Sequence, residues 1–393
     1  MPLRYLTAGE SHGPSLTTIV EGLPAGLEIK IELIEEELSR RRRGFGAGPR
    51  MKMERDKVKI LSGVMANVTT GAPVAIQIDN DDHSNWAGKE HAPLNIPRPG
   101  HADLTAAIKY GYRDLRLSLE RASARETAAR VAVGALCRHF LAQFGIVIGG
   151  YVRSIGDVIA QVEGVDLSER AQIAEKNEVR SPDEGAAQLM IERIQKVIRD
   201  KDTLGGVIEI FAIGLPPGLG SHVHWDRRLS SRLGAAVLAV QAIKGIEFGT
   251  AFENTKLPGT QIQDAIRLSG DDIVRPTNRA GGLEGGITNG NPLMLRAAMK
   301  PIATTLTPQP TVDLLEREEV STQYERSDFC PVPRAVPILE AVIAIELADA
   351  LMEKLGGDSL EEMSSRFNTL RQARLSDLEM DGSPRQYWPD VEA

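Results

Sequence analysis

The alternation of apolar and polar positions divides the chain into strand-like and helix-like stretches. Residues 4–7 (RYLT) predict a short strand that runs into a glycine-rich turn at 9–13, and 15–23 has the β-branched content of a second strand. Residues 31–43 (IELIEEELSRRRR) predict a helix, with acids early and arginines in the last turn, an order that suits the helix dipole. Residues 58–64 and 73–78 predict two strands joined through Thr69-Thr70-Gly71. A polar loop at 79–83 leads into loop-like sequence at 84–101, which contains Pro93, Pro97 and Pro99. Ser123-Ala124-Arg125-Glu126 then fits a capping box. Behind it Ala128, Val131, Ala132, Ala135 and Leu136 recur at helical spacing, and Gly145 is a suitable stop. The polar region 155–200 predicts helices and loops. Residues 205–214 predict a strand, and 226–243 and 334–355 two further helices. Beyond Gly357 the pattern predicts an irregular, peripheral tail.

One motif occurs twice. Gly22-Leu23-Pro24-Ala25-Gly26-Leu27 matches Gly214-Leu215-Pro216-Pro217-Gly218-Leu219, and each copy follows a strand and precedes an arginine-containing helix. Two related halves explain this, and so does a shared turn type. No linker separates independent domains. The order of elements predicts an α+β or layered β–α–β arrangement, with residues 1–356 as one domain and 357–393 as the tail.

Composition narrows the class. Of 393 residues 42% are hydrophobic, enough for a sizeable core. No apolar run approaches the ~18 residues of a membrane span, and the N-terminus lacks a signal-peptide plan, which predicts a cytoplasmic protein. Two cysteines, Cys137 and Cys330, argue against a disulfide framework or a thiolate zinc site. The seven histidines show no metal-ligand spacing. A net charge of −8 makes a general nucleic-acid binder a poor fit. Charge is uneven, however: residues 40–57 carry eight basic and two acidic side chains, either a solvated face or a site for an anion.

Candidate chemistry lies in short clusters. His12 sits between glycines in Gly9-Glu10-Ser11-His12-Gly13, and His101 follows a proline-stiffened approach in Arg98-Pro99-Gly100-His101-Ala102-Asp103. Arg121 and Arg125 bracket the expected helix start, where free N–H groups attract anions. Five glycines in residues 281–290 let backbone approach a flat or anionic ligand, without the framing of a dinucleotide fingerprint. Lys300, followed by Thr304 and Thr305, suits a phosphate, and Arg326 and Asp328 share one side of an extended segment. For each cluster an ordinary turn, cap or ion pair is the alternative. Together they describe a His- and Arg-rich site for a polyanionic small molecule.

GESHG (9–13), MKMERDKVKILSGV (51–64), TTGAPVAI (69–76), RPGHAD (98–103), ERASARET (120–127), GGLEGGITNG (281–290), KPIATT (300–305) and ERSDFC (325–330) resemble chorismate synthase in order and spacing, over roughly residues 3–350. The resemblance implies conversion of 5-enolpyruvylshikimate 3-phosphate to chorismate and phosphate. This is a 1,4-elimination that needs reduced FMN without net redox change, on a β–α–β sandwich that is usually a homotetramer. By resemblance His12, His101 and Asp328 are catalytic, and Arg41, Arg50, Arg98 and Arg125 bind substrate. Arg121, Ala122, Ser123, Gln241, Ala242, Gly285, Lys300, Pro301, Ile302, Ala303, Thr304 and Arg326 bind FMN. NADPH is a possible reductant. Bidentate arginines suit a substrate with two carboxylates and a phosphate. The chain departs from the family at Ala47, a usual Arg position, where Arg42 or Arg43 is the available replacement, and at Ala122, often Ser. The competing readings are another flavoprotein that consumes NAD(P)H, or an RNA-binding protein that uses the 40–57 loop.

Overall fold

In the computed structural model, which describes residues 2–48, 54–324 and 327–388, two antiparallel sheets enclose a layer of helices. The first sheet contains β1 (Arg4–Ala8), β2 (Ser15–Glu21), β3 (Val58–Ser62) and β4 (Val74–Asp79), in the order β1-β2-β4-β3. The second contains β5 (Val147–Ile155), β6 (Val158–Ile159), β7 (Gly206–Ile213), β8 (Ile243–Phe248) and β9 (Leu293–Met299), in the order β8-β9-β7-β5-β6. Between them run α1 (Ile31–Arg42), α2 (Thr127–Ala142), α3 (Leu229–Leu238) and α4 (Val332–Leu355). Helix α2 touches strands of both sheets and packs on α1 and α4, and α4 packs on α3.

Side-chain alternation makes the sandwich. On β4 Val74, Ile76 and Ile78 are buried against the helices, while Ala75, Gln77 and Asp79 turn outward. Helices α2 and α4 are buried along most of their length, and α2 is rich in small residues so that α4 can lie close. A Cβ on Gly134 would fall 2.3 Å from that of Ala341, so only glycine fits this crossing.

The doubled motif marks two related halves. Thr69 Oγ1 donates to Pro24 O at 2.6 Å and accepts from Leu27 N at 2.9 Å. Thr288 Oγ1 donates to Pro216 O at 2.7 Å and accepts from Leu219 N at 2.8 Å. The order β1-β2-β4-β3 recurs as β5-β7-β9-β8, with α1 and α3 following the two motif copies. A shared turn type alone does not require matching sheet orders.

Several elements differ from the sequence pattern. Helix α3 is shorter than the expected 226–243, because residues 239–242 turn into β8. Strand β5 was not predicted, since Gly149 and Gly150 interrupt its apolar run. The segment after 357 is not irregular throughout. Ser359 caps the helix α5 (Leu360–Phe367) by accepting from Glu362 N at 3.3 Å, and Met363 is buried.

A buried ionic network ties the helix layer together. Arg40 donates to Glu37 at 2.7 Å, to Glu340 at 2.7 Å and to Glu175 at 2.6 Å, and Arg138 adds bonds to Glu37 and Glu340. Arg180 donates to Glu175, and to the carbonyls of Arg40, Arg43 and Pro333, so it joins the end of α1 to the start of α4. Removing one partner of a buried pair strands the other charge. Glu340→Leu is therefore expected to cost about 3–5 kcal/mol in urea unfolding at pH 7. Burial alone would raise the Glu175 carboxyl, but Arg40 and Arg180 outweigh it and bring its pKa down to about 2. An acid depressed on folding stabilises the fold above its unfolded value of about 4.3. That contribution is lost as pH falls through this window towards about 2. The melting temperature should drop across that range, and Glu175→Gln should flatten the drop.

Candidate active site

The turn between β1 and β2 carries His12. Gly9 makes it possible: its φ is +117°, and a Cβ there would lie 2.6 Å from Ser15 O. The turn is held from two sides. Ser11 N donates to Glu120 O at 3.0 Å and His12 N to Glu120 Oε2 at 2.8 Å. Asn80 Nδ2 donates to the carbonyls of Ser11 and Gly13, and His83 Nδ1 to that of His12. The His12 ring is therefore fixed, with Nδ1 2.6 Å from Glu120 Oε1 and Nε2 3.9 Å from Asp82 Oδ2. Burial would raise the Glu120 carboxyl, but the His12 side chain and amide, with Arg116, hold it below the usual range. Glu120 is thus a carboxylate beside the imidazole.

Ser123 caps the turn that opens α2, its Oγ accepting from Arg125 N at 3.3 Å, but another helix ends immediately before it. A short helix, Arg116–Ala122, ends there because Ser123 is extended, and a 3-10 turn at Ala124–Glu126 leads into α2. Arg121 and Ala122 consequently occupy the last turn of that preceding helix rather than the start of α2. Nor does the capping box close. Ser123 Oγ accepts from Arg125 N and Ser11 Oγ, while Glu126 takes bonds from Thr7 Oγ1 at 2.7 Å and Arg130 Nε at 3.1 Å. Arg121 reaches back across the His12 turn to Thr7 O and Oγ1, both at 3.0 Å.

Behind this segment lies a charged cluster. Arg41 is buried, donating through Nε to Thr127 Oγ1 and through Nη2 to Ala124 O, each at 3.0 Å. Its Nη1 has no hydrogen bond among the described residues and lies 3.9 Å from Glu54 and 3.8 Å from Asp56. Burial, with Arg334 and Arg125 nearby, brings the Arg41 pKa down to about 10 despite Asp56 and Glu54. Arg125, also buried, donates to Glu54 at 3.0 Å and to Asp56. Arg42 turns to the same acids, and Arg43 is exposed. Arg334 joins from α4, donating to Arg41 O at 3.1 Å and to Asp328 Oδ2. Asp328 Oδ1 accepts Gly48 N at 2.7 Å, one residue beyond Ala47. Four guanidiniums, of Arg41, Arg42, Arg125 and Arg334, meet three carboxylates, of Glu54, Asp56 and Asp328. The described part of the cluster thus has one positive charge in excess.

A third group centres on His101. Its Nδ1 is 2.6 Å from Asp103 Oδ1, and Arg98 donates to Asp103 through Nε at 2.8 Å and to Thr304 Oγ1 at 3.3 Å. Burial would raise the Asp103 carboxyl, but His101 and Arg98 drive it far below its ordinary value. The bond to a carboxylate puts the His101 proton on Nδ1. Lys300 Nζ donates to Gly100 O at 2.7 Å, and Lys300 N to Ala242 O at 2.9 Å. Gln241 and Ala242 are therefore not helix interior. They form the turn before β8, with Ala242 at φ +65°.

One run of contacts connects the three groups. It passes from the His12 turn through Ser11 to Ser123, and from Ala124 through Arg41 and Arg334 to Asp328. From there Ser327 donates to Thr304 O at 3.2 Å, and Thr304 meets Arg98 beside His101. Gly285 lies elsewhere, in the Leu283–Thr288 hairpin beside His222. Arg50, Glu325 and Arg326 fall outside the described residues. Asp82 and Arg334 had no sequence signal for their roles, whereas Glu54, Asp56, Asp103 and Glu120 each lie within a quoted motif and could have been suspected from position. Among the described residues no group of acids, histidines and cysteines is arranged to hold a metal ion.

A flavin's requirements can be set against these groups. Gln241 Oε1 is buried without a hydrogen-bond partner among the described residues, an acceptor left for a ligand N–H. Lys300 has one carbonyl partner and three N–H bonds. Gln241 and Lys300 thus fit such a group. A family profile described as chorismate synthase matches residues 3–352. The chorismate synthase of Syntrophotalea carbinolica is 51% identical over 375 residues, covering 93% of this chain and 97% of that protein. That of Symbiobacterium thermophilum is 52% identical over 381 residues, with the same shares covered. A crystal structure of chorismate synthase superposes with a TM-score of 0.78 at 43% identity, over 94% of this chain and 97% of that one. The chain belongs to the chorismate synthase family.

Proposed function

We propose that the run from His12 through Asp328 to His101 is where this chorismate synthase eliminates phosphate from 5-enolpyruvylshikimate 3-phosphate. The observation that carries the reading is the convergence itself: two histidines, each held by a carboxylate through Nδ1, are joined through an Arg-rich cluster that contains Asp328. His12, fixed by Glu120, protonates or stabilises the departing phosphate. Asp328, oriented by Arg334 and the Gly48 amide, takes the proton that the ring loses. Arg41, Arg50, Arg98 and Arg125 supply the positive field for a substrate with two carboxylates and a phosphate. The reduced flavin of this reading is FMN, which Arg121, Ala122, Ser123, Gln241, Ala242, Lys300 to Thr304 and Arg326 would hold, with Gly285 set apart from them in its hairpin. When bound, it lends electron density to the substrate and recovers it, so no reductant is consumed per turnover. His101 would offer that cofactor a proton or hydrogen bond. The setting that goes with this reading is a cytoplasmic homotetramer, with NADPH as a possible source of electrons. Among the described residues no helix is long and apolar enough to cross a membrane.

Anaerobic turnover with chemically reduced FMN tests the reading. Chorismate and phosphate should appear in equal amounts with no further reductant consumed. Folded, FMN-binding protein that releases neither product would overturn it. Repeating the assay with oxidised FMN and NADPH decides whether the chain reduces its own cofactor.

A further inference from the structure

His12 has a second neighbour that its catalytic reading does not use. The Trp86 ring lies on the face of the His12 imidazole, with centroids 3.9 Å apart and planes tilted by 30°. The segment that carries Trp86 is anchored to the His12 turn at two other points, Asn80 on the carbonyls of Ser11 and Gly13 and His83 on that of His12. Trp86 N in turn donates to His83 O at 2.9 Å. Trp86 is itself backed by His91, whose ring centroid is 4.3 Å away, and by the Arg116 guanidinium at 5.3 Å. Residues 80–91 therefore form a strap over the turn, with an indole set against the imidazole.

Physical chemistry gives this contact a role. The outer torsion of a histidine is broad and nearly two-fold, so what touches the ring's edge and face sets its orientation. Glu120 holds the edge of the ring, and a stacked indole on its face removes the remaining freedom.

We propose that Trp86 is a positioning residue for the elimination, holding the His12 imidazole by its face while Glu120 holds its edge. The proposal rests on the reading that His12 acts in the reaction. It makes a statement about rate rather than affinity, because Trp86 acts through His12.

The test compares three changes at two positions. Trp86→Leu should lower kcat about five- to tenfold with KM unchanged, and Trp86→Phe, which restores an aromatic face, should recover most of the loss. A purely structural role predicts no such rescue by shape-dissimilar Phe. The contact is read separately by fluorescence. The chain has three tryptophans, so Trp225→Phe with Trp388→Phe leaves Trp86 as the sole indole emitter. His12→Ala in that background should brighten and red-shift the emission, as an adjacent quenching ring is removed. Unchanged emission overturns the stack, and so does a Trp86→Leu enzyme whose kcat stays within twofold. Loss of rate in Trp86→Phe equal to that in Trp86→Leu overturns positioning by the ring face. If His12→Ala itself keeps full kcat, the reading of His12 fails, and the proposal fails with it. If His12→Ala loses rate while Trp86→Leu does not, only the proposal fails.

Discussion

Replacing His12 with alanine is expected to lower kcat for chorismate formation by about a hundred- to ten-thousandfold, the usual range for a lost general acid–base group. The fold should be unaffected. The His12 turn is held through backbone groups, by Glu120 on the His12 amide and by Asn80 and His83 on carbonyls, and none of these needs the imidazole. KM should change little, because the arginine cluster lies beyond the ring and remains intact. Glu120→Gln is the companion change. It keeps the bond to the His12 amide but replaces the carboxylate that faces Nδ1 at 2.6 Å. A neutral amide holds the ring edge less firmly than a carboxylate does, so kcat should fall by a smaller factor, on the order of tenfold. Steady-state phosphate release under anaerobic conditions with reduced FMN gives both numbers. A His12→Ala enzyme within tenfold of wild type would remove His12 from the chemistry.

The sequence pattern predicts most of what local chemistry decides. β1, β2, β3, β4 and β7 follow from β-branched runs between turn residues, and α1 from its acids and closing arginines. The doubled Gly-Leu-Pro motif pointed at the halves, because the turn it forms needs a distant threonine, Thr69 in one copy and Thr288 in the other. What the pattern does not contain is partnership across the chain. Arg40 and Glu340 are 300 positions apart, and nothing local to either announces a buried pair. The same holds for Arg125 with Glu54 and Asp56, where the basic loop at 40–57 supplies its own acids. Ser123 shows the other kind of failure. Ser-x-x-Glu is a fair cap signal, but Thr7 and Arg130 compete for Glu126 from outside the segment and win it. The same signal was present and true at Ser359-Leu360-Glu361-Glu362, in a stretch whose polarity alone predicts an irregular tail.

Asp328→Asn separates the proton acceptor from its supports. The substitution is nearly isosteric, so the Gly48 amide keeps an oxygen to donate to and Arg334 keeps its bond to Arg41 O. What disappears is the negative charge, and with it the capacity to take a proton. The expected loss in kcat is about a hundred- to a thousandfold, measured by chorismate absorbance in the same anaerobic assay. Arg334→Gln should behave differently. It leaves the carboxylate in place but releases it from one of its two holders, and it removes one positive charge from a cluster whose described members hold only one in excess. Its effect should therefore divide between kcat and KM, since both the orientation of Asp328 and the attraction for an anionic substrate weaken. The contrast decides the assignment. A base lost at Asp328 acts on kcat alone, whereas a merely structural ion pair would make Asp328→Asn and Arg334→Gln equivalent. If the two variants show the same kcat and KM, Asp328 is a strut for the α4 entry and another group removes the ring hydrogen.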